Sequence, residues 1–481
     1  MRELTLELPL DPRPIYLRLA DAVRQAIRGG RARPGEPLPS TRALAATTGV
    51  HRHTVMTALD ELVAEGWLVA RPGAAYRVTP QLPDDFFRTS RTVETSKPPP
   101  VVTLKPARPV PLLPSPVGEF RWAFRSGLGD LRLFPYDELR GHLSDALRRD
   151  AKTMTGFFDP AGYGPFVEGL ATYLRRVRAV TPGRLVVTHG SQEALYLAGQ
   201  LLCAPGDTAA VERAGYPPAW EALRASGARL APLAMDEEGV DPDAFERLCR
   251  RARVKVIYLT PLHQYPTTVT LSAPRRLALY ATAARHGVAI LEDDYDHEFH
   301  YRSQPVAPLA ASDPAGIVLY ASTFSKVLFP SARLGYLGVP ASLGDPLRAL
   351  KRIVSRQNDG LLQGAMARWM REGGFERHLR RMRREYARRL DALDAALSLA
   401  RETVPELAWR VPDGGMALWL STPWDSREAA GRAAAAGVFV HAGADYLFTP
   451  GADTHLRLGF ASMTPAEIAA GLPALIRACA T

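Results

Sequence analysis

The chain has 481 residues, which is too long for one ordinary hydrophobic core, so we expect two or more domains. Its 46% hydrophobic and 23% charged residues are a normal globular composition, and no apolar run reaches membrane-spanning length. The N-terminus lacks the apolar core of a signal peptide, and the three cysteines lie far apart without metal-ligand spacing. We therefore expect a cytoplasmic protein with no metal site and no membrane partner.

The charge balance is strongly basic. The formal net charge is +10 and the pI is about 9.6, values that suggest a polyanionic partner. However, only six of the 60 basic residues are lysines, and GC-rich coding would produce the same excess of arginine. The charge alone therefore favours DNA as a partner only modestly.

The first 80 residues contain short periodic segments separated by glycine and serine signals. Gly29 and Gly30 end the first helical pattern, and Ser40 is placed to cap the second. The predicted order is a helix over 15–28, a second helix after Ser40, a turn at 48–50, a helix over about 51–65, and two short strands at 67–69 and 76–78. This order is typical of a winged helix-turn-helix, an α+β domain that we assign to residues 1–80.

Three motifs in this region resemble the GntR family of bacterial DNA-binding domains: PSTRALA at 39–45, GVHRHTV at 49–55 and LDELVAEG at 59–66. A helix that begins near Arg52 and carries His53 and Thr54 into a major groove can contact base edges. Arg42, on the preceding helix, can hold phosphates. The resemblance implies a double-stranded DNA operator as partner. The predicted wing tip, residues 71–75, is shorter than the Gly-rich tip usual in that family. The sequence therefore does not support contacts between the wing and DNA.

Residues 81–119 separate two regions of different composition. The segment is rich in proline, which fixes φ and removes backbone donors, so we expect an extended linker. After it, apolar strand-like runs at 185–188, 254–259 and 288–291 alternate with helical patterns. This alternation predicts an α/β domain with a mostly parallel central sheet over residues 120–481.

The segment YASTFSK at 320–326 ends in one of the six lysines of the chain. A lysine that forms a Schiff base must lie on a rigid turn, with small hydroxyl residues nearby to take a cofactor phosphate. Ser322, Ser325 and the cation Arg333 meet that requirement around Lys326. We therefore interpret Lys326 as a candidate for covalent cofactor attachment.

Other candidate residues come after predicted strands, at the sheet edge where α/β domains bind ligands. In LEDDY at 291–295, a carboxylate can pair with a protonated pyridine nitrogen and Tyr295 can bind a phenolic oxygen. In THGSQEAL at 188–195, the backbone N–H groups of Ser191 and Gln192 open a helix and can hold a phosphate. Tyr216 can stack on a ring, and the segment 260–267, which contains His263, can flank its other edge.

Together these motifs resemble the fold type I pyridoxal-phosphate enzymes of the aminotransferase class I/II type. With a GntR-like head, the whole chain resembles the MocR family of regulators, and the resemblance implies pyridoxal 5'-phosphate as cofactor and a head-to-tail homodimer. It also implies roles for three matching residues: Lys326 carries the cofactor, Asp293 meets the ring nitrogen, and Tyr295 meets the phenolic oxygen. Arg457, in LRLGF at 456–460, matches the arginine that grips a substrate or effector carboxylate.

The sequence also departs from that family at two points. The segment after His263 usually ends in Pro-Thr-Gly or Pro-Ser-Gly, whereas here Thr268 takes the place of the glycine, which is expected to narrow the site. Members that bind a γ-amino acid carry an arginine shortly after the stacking tyrosine, but Tyr216 is followed by two prolines. A γ-amino acid effector is therefore not supported.

Three functions fit these motifs. The chain can be a transcription regulator that senses an amino compound or pyridoxal phosphate itself, an active aminotransferase with an appended DNA-binding head, or a DNA-binding protein with a cofactor-free scaffold. Lys326, Asp293, Tyr295 and Arg333 speak against the scaffold. The head favours the regulator, since metabolic turnover does not require a DNA reader, although fold alone proves no activity.

Overall fold

The computed structural model describes residues 4–9, 11–71, 74–83, 119–302 and 306–480. The chain divides into two compact units, Met1–Ser115 and Pro116–Thr481. The division falls inside the predicted linker, of which residues 84–118 lie outside the described residues, as do Pro72 and Gly73 in the predicted wing.

The N-terminal unit is a three-helix domain with a short hairpin. Its elements are α1 (Ile15–Arg28), α2 (Thr41–Thr48), α3 (Arg52–Ala64), β1 (Leu68–Val69) and β2 (Arg77–Val78). Ser40 caps α2 by accepting a hydrogen bond from the Ala43 amide at 3.2 Å. Gly49 adopts a left-handed φ of +67°, which lets the chain turn sharply between α2 and α3. The predicted winged helix-turn-helix is confirmed.

Apolar side chains on one face of each helix form the core of this unit. Leu19 and Val23 of α1 and Val55, Leu59 and Leu62 of α3 are fully buried. β1 and β2 are antiparallel, and Leu68 is paired with Val78. Packing of α1 against α3 therefore fixes α3 while the N-terminal end of α3 stays exposed.

The larger unit is built on a central sheet in the order β4-β12-β11-β10-β9-β5-β6. Neighbouring strands are parallel except β12, which is antiparallel to both β11 and β4. The strands of this unit, some of them outside the central sheet, are β3 (Trp122–Ala123), β4 (Arg184–Thr188), β5 (Thr208–Glu212), β6 (Arg229–Leu233), β7 (Met235–Asp236), β8 (Gly239–Val240), β9 (Val254–Leu259), β10 (Ala289–Asp293), β11 (Val318–Thr323), β12 (Gly335–Val339), β13 (Ala408–Trp409), β14 (Ala417–Ser421), β15 (Val438–Phe439), β16 (His441–Ala442) and β17 (His455–Gly459).

Helices connect these strands. They are α4 (Tyr136–Arg149), α5 (Ala151–Met154), α6 (Gly164–Arg178), α7 (Gly190–Leu202), α8 (Pro217–Ala225), α9 (Pro242–Arg251), α10 (Ala273–His286), α11 (Gly344–Val354), α12 (Gly360–Arg371), α13 (Gly374–Arg401), α14 (Ser426–Ala435) and α15 (Pro465–Ala480). A second sheet, β13-β14-β17-β16, lies after α13 in the chain. Among the described residues, no helix is long and apolar enough to cross a membrane.

The sheet topology brings several segments to one edge. The parallel strands β4, β9, β10 and β11 all end there, and every residue of β11 is buried, as expected for a strand covered on both faces. Because β12 is antiparallel, it begins at the same edge, where Gly335 pairs with Thr188. The residues that come after these strands therefore surround one common space.

Candidate functional site: a cofactor cavity and a DNA-binding surface

A cavity of about 150 Å³ lies at this edge of the central sheet. Six residues predicted from the sequence line it: Ser191, Tyr216, Asp293, Tyr295, Lys326 and Arg457. The lining also contains Thr260, Tyr265 and Thr323, from the segments 260–267 and 320–326. It is completed by residues that the sequence did not single out: Ser126, Gly127, Tyr258, Asp296 and Met416. The structure thus gathers residues from distant parts of the chain around Lys326.

Lys326 lies just after β11, and its Nζ donates a hydrogen bond to the Gly127 carbonyl oxygen at 2.9 Å. Gly127 has a left-handed φ of +71°, which favours glycine, and a Cβ there would stand 2.6 Å from that Nζ and displace the lysine side chain. Burial lowers the pKa of Lys326, partly opposed by the negative charges of Asp296 and Asp293. A lower pKa raises the fraction of the neutral amine, which is the nucleophilic form.

Asp293 ends β10 and is buried in the wall of the cavity. The Tyr258 hydroxyl donates to Oδ2 of Asp293 at 2.9 Å, whereas Oδ1 has no hydrogen-bond partner among the described residues. Burial raises the pKa of Asp293 to about 7. A buried carboxylate oxygen without a donor fits a protonated ring nitrogen, which would supply both a hydrogen bond and a positive charge.

A second side of the site is suited to a phosphate. α7 begins at Gly190 without a side-chain cap, so its first N–H groups remain available to an anion. The Arg333 guanidinium donates to the His189 carbonyl oxygen at 2.6 Å and lies about 3.1 Å from the position of a Cβ at Gly190. Beside it, the Thr323 hydroxyl donates to Ser325 Oγ at 2.9 Å.

Ser322, a predicted phosphate ligand, does not reach the cavity, whereas Gln192 keeps the backbone N–H that the sequence assigns to a phosphate. Ser322 is fully buried and its hydroxyl donates to the Asp294 carbonyl oxygen at 2.7 Å, so the structure does not bring it to the cavity. Thr323, the next residue along β11, lines the cavity in its place. The Gln192 side chain donates to the Pro218 carbonyl oxygen at 2.9 Å, which leaves its backbone N–H as the group that can face a phosphate.

His263 and Tyr295 are linked behind the cavity. His263 is buried, and its Nδ1 lies 2.7 Å from Oδ1 of Asp296, the residue of this pair that lines the cavity. The Tyr295 hydroxyl donates to the His263 carbonyl oxygen at 2.9 Å. That Tyr295 meets a phenolic oxygen and that His263 contacts the cofactor remain predictions.

Arg457 lies on β17 and is buried beside the loop that comes after His263. Its guanidinium donates to the Pro266 carbonyl oxygen and lies 4.3 Å from the centre of the Tyr265 ring. Thr268, the departure from the family pattern, has a left-handed φ of +64°, a conformation that favours glycine. Thr268 is not part of the cavity lining in the described structure, so the expected narrowing is not seen there.

Two of the lining residues lie in or next to motifs that were recognisable in the sequence, whereas a third does not. Asp296 comes directly after the motif LEDDY at 291–295, and Tyr265 lies in the segment 260–267 that the sequence assigns to the site. Tyr258 has no such signal, because it occupies one position of an ordinary apolar strand, β9. Its role depends on the pairing of β9 with β10.

The N-terminal unit presents the predicted DNA-binding residues near the start of α3. Arg52 and His53 are exposed and Thr54 is partly buried, while Arg42 is exposed on α2. Arg52 Nε donates to Thr41 Oγ1 at 3.1 Å, which links the two helices. The structure thus leaves cationic side chains at the exposed end of the helix that is predicted to read bases.

Two family profiles match the chain. The profile of the bacterial regulatory proteins of the gntR family matches residues 15–78, and that of the class I and II aminotransferases matches residues 128–475. In class, the protein is thus a GntR-type DNA-binding domain joined to an aminotransferase domain of fold type I.

Similar proteins cover almost the whole chain. It is 33% identical over 490 residues to the HTH-type transcriptional regulator TauR of Rhodobacter capsulatus, covering 96% of each chain. It is 32% identical over 432 residues to the probable rhizopine catabolism regulatory protein MocR of Rhizobium meliloti, covering 83% of this chain and 85% of that one. The chain belongs to the MocR-type HTH transcriptional regulators.

Solved aminotransferase structures match the larger unit. Kynurenine aminotransferase of Pyrococcus horikoshii, in complex with PMP, superimposes with a TM-score of 0.70 at 27% identity, covering 76% of this chain and 91% of that one. LysN, the α-aminoadipate aminotransferase of Thermus thermophilus, superimposes with a TM-score of 0.69 at 28% identity, covering 75% of this chain and 92% of that one.

Proposed function

We propose that this regulator binds pyridoxal 5'-phosphate in the cavity around Lys326 and uses it to sense an amino compound, or senses the cofactor itself, and so controls binding of a DNA operator. The observation that carries the proposal is that one cavity is lined both by the amine-bearing Lys326 and by the buried Asp293, whose Oδ1 has no partner in the described chain. When bound, pyridoxal phosphate supplies an electrophilic carbonyl that primary amines attack and a ring that accepts electron density.

Each part of the cavity has a distinct task in this proposal. Lys326 holds the cofactor covalently, and Asp293 keeps a proton on the ring nitrogen. The N-terminus of α7 at Ser191 and the Arg333 guanidinium hold the phosphate. Tyr216, which lines the cavity and lies partly buried beside Tyr265, stacks on the ring.

Arg457 gives the proposed sensor its preference for carboxylates. Its guanidinium is held by the Pro266 carbonyl oxygen and its Nε has no partner among the described residues. The unpartnered Nε offers a donor to an effector carboxylate, and a carboxylate that also takes the N–H now bonded to Pro266 removes one contact of the loop around Tyr265. A ligand shifts a conformational equilibrium only through such a difference in contacts between two states.

The same cavity suits an active aminotransferase with a DNA-binding head, because recognition of an amino acid and the first steps of transamination use the same residues. The two functions differ in the steps that come after ligand binding. Transamination requires proton transfer at the α-carbon, release of a keto acid and a second half-reaction. A sensor requires only that the ligand change the affinity for DNA.

The proposal includes a homodimer. Proteins with the aminotransferase fold are typically dimers. Phe157 and Ile353 are 80% and 82% exposed, and the Arg356 guanidinium lies 4.3 Å from the centre of the Phe157 ring. We call these three residues the Phe157 surface. Large apolar side chains that protrude together favour contact with another protein surface, and the proposal assigns that surface to a second copy.

One set of binding measurements tests the function. DNA affinity is measured for cofactor-free protein, for protein loaded with pyridoxal phosphate, and for loaded protein with a panel of amino compounds, while keto-acid production is monitored. We expect the affinity to change with ligand and little sustained production of keto acid. Arg457→Ala should remove the response to carboxylated ligands and keep the cofactor bound, whereas a response to the cofactor alone would identify pyridoxal phosphate as effector.

The controls concern the lysine and the alternative function. The visible absorbance of the loaded protein should disappear in Lys326→Ala and persist in Lys152→Ala, a substitution of an exposed lysine. Turnover at ordinary enzyme rates, about 1 per second or faster, with no ligand effect on DNA binding would favour the aminotransferase over the sensor.

A further inference from the structure

A buried lysine lies next to the proposed phosphate site and takes no part in the chemistry described so far. Lys351, on α11, is 0% exposed. Its Nζ donates to Oε2 of Glu193 and to Oδ1 of Asn358, both at 2.7 Å. Burying a charged side chain is unfavourable unless a partner and hydrogen bonds compensate it. Packing alone therefore does not explain why a lysine is buried at this position.

Glu193 lies in the first turn of α7 and points back toward the start of that helix. Its Oε2 accepts a hydrogen bond from the His189 amide at 2.6 Å and lies 3.0 Å from His189 Nδ1. Although burial acts in the opposite direction, the hydrogen bonds from His189 and Lys351 lower the pKa of Glu193. The carboxylate is therefore charged, and it is hydrogen-bonded to His189, the residue that precedes α7.

His189 connects this pair to the phosphate site. Its carbonyl oxygen accepts the hydrogen bond from Arg333, the cation that packs against Gly190. Glu193 satisfies the amide of His189, and α7 has no other side-chain cap, so the next N–H groups of the helix stay open. The chain of contacts runs from Lys351 through Glu193 and His189 to both phosphate-binding elements.

A carboxylate in this place has an electrostatic disadvantage. The N-terminus of α7 attracts an anion through its dipole and open N–H groups, and a charged Glu193 one turn into the helix would repel a phosphate dianion. The ammonium of Lys351 contacts Glu193 directly and offsets that charge. The lysine thus allows the carboxylate to hold His189 without weakening the anion site.

We propose that Lys351 and Glu193 form a positioning pair for the cofactor phosphate: Glu193 holds His189, and through it Arg333 and the open start of α7, while Lys351 neutralises Glu193. Neither residue touches the phosphate. The inference rests on the proposed binding of pyridoxal phosphate, and it adds a requirement that concerns the phosphate alone and not the aldehyde or the ring.

The test compares two ligands that differ only in the phosphate, pyridoxal phosphate and pyridoxal, by equilibrium binding to the cofactor-stripped full chain. Lys351→Met leaves Glu193 charged, and we expect at least about a tenfold loss of affinity for pyridoxal phosphate, the size of a partly buried charge at a helix end. Affinity for pyridoxal should change by less than about twofold, since it lacks the group that the pair positions.

Rescue separates positioning from folding. The double variant Lys351→Met with Glu193→Gln carries no unopposed charge and keeps an acceptor for the His189 amide, so most of the lost affinity should return. The double variant Lys351→Met with Glu193→Ala lacks that acceptor and should not recover. If Lys351→Met alone does not fold, the comparison of the two double variants still decides, and Lys255→Met serves as a control on a lysine outside the site.

The outcomes are distinguishable. Equal loss for both ligands, or equal affinities in the Gln and Ala double variants, would overturn the positioning role while leaving the proposed function intact. Wild-type protein that binds neither pyridoxal phosphate nor pyridoxal would overturn the proposed function and this inference with it.

Discussion

At the scale of single residues, Asp293 should leave a signature in the pH dependence of stability. Burial raises its pKa from 3.8 to about 7 in the folded chain, so between these values folding binds a proton. For this group, stability is greatest at and below about pH 4 and falls as the pH rises to about 7. In cofactor-stripped protein, Asp293→Asn should therefore raise the free energy of unfolding at pH 8, by up to about 4 kcal/mol, and change it little at pH 4.

Denaturant unfolding at several pH values measures this effect. Burial raises the pKa of Glu292 to about 7 in both proteins, so its contribution cancels in the difference. Burial raises the pKa of Glu212 to about 8, and the charge of Asp293 adds to that rise, so Asp293→Asn also removes this smaller contribution. Asp137→Asn, at a side chain that is 89% exposed, is the control and should not alter the pH profile. A flat difference between wild type and Asp293→Asn would show that the carboxylate is not buried in the folded chain.

The backbone conformation of Thr268 leads to a second prediction: removal of this side chain should stabilise the folded protein. Its φ of +64° is unfavourable for a β-branched residue, and glycine adopts it freely. After the greater entropy of unfolded glycine is subtracted, Thr268→Gly should raise the free energy of unfolding by about 0.5 to 1 kcal/mol. Thermal or denaturant unfolding measures the change.

The neighbouring threonine supplies a matched control for Thr268. The Thr267 hydroxyl donates to Oε1 of Gln264 at 2.5 Å, and Thr267 has no left-handed backbone. Thr267→Gly should therefore lower the free energy of unfolding, by about 1 kcal/mol, as a hydrogen bond is lost and chain entropy is gained. If both substitutions destabilise equally, the left-handed turn at Thr268 does not exist in solution.

At the scale of elements, the two helices of the head should respond differently to loss of an arginine. Arg52, at the start of α3, is predicted to contact a base edge, whereas Arg42, on α2, is predicted to contact phosphates. Arg52→Ala should weaken specific operator binding by about 1–3 kcal/mol and relax sequence preference. Arg42→Ala should weaken binding uniformly across sequences and reduce the slope of log affinity against log salt by about 1.

Titrations of operator and unrelated DNA at several salt concentrations distinguish the two residues. Each variant is the other's control, because both lose one exposed arginine from the same unit. A uniform loss with a shallower salt slope for Arg52→Ala would place this residue on the DNA backbone. No change in either variant would mean that α2 and α3 do not form the DNA-binding surface.

Elements were predictable where the signal was local. Proline, glycine and serine marked the ends of α1 and α2, and the apolar run at 254–259 has the same bounds as β9. The strand predicted at 288–291 extends to Asp293 as β10, because pairing with β11 accommodates the acidic residues, which an apolar run does not reveal.

The sequence motifs identified the segments that form the site, but they did not show which way the side chains of each strand point. Ser322 and Thr323 are neighbours on β11 and point to opposite faces of the sheet, so sequence alone could not decide which one reaches the cavity. The same holds for the contact of Tyr258 with Asp293, which depends on the register of two strands that are about thirty residues apart in the chain. Contacts of this kind arise only when the sheet assembles.

At the scale of the whole molecule, the Phe157 surface predicts that association depends on its two exposed apolar side chains. Phe157→Asp combined with Ile353→Asp should raise the dissociation constant of the dimer at least about thirtyfold, equivalent to about 2 kcal/mol. The reason is that each substitution places a charge where the proposed dimer interface buries an apolar side chain. Sedimentation over a range of concentrations measures this constant.

Leu277 provides the control for association. It is 72% exposed on α10, away from the Phe157 surface in sequence, and Leu277→Asp should leave the dissociation constant unchanged. Wild-type protein that sediments as a monomer at micromolar concentration would contradict the proposed dimer. Equal weakening by both substitutions would show that exposed apolar side chains in general, and not this surface, drive association.

The position of Lys326 in a chain with six lysines has a practical consequence for peptide mapping. A lysine-specific protease cuts after Lys255, Lys326 and Lys351, so unmodified protein yields the separate fragments 256–326 and 327–351. A group fixed covalently on Nζ of Lys326 blocks the middle cut and joins them into a single fragment, 256–351. The fragment masses alone then report which lysine was occupied, and in what fraction of the molecules.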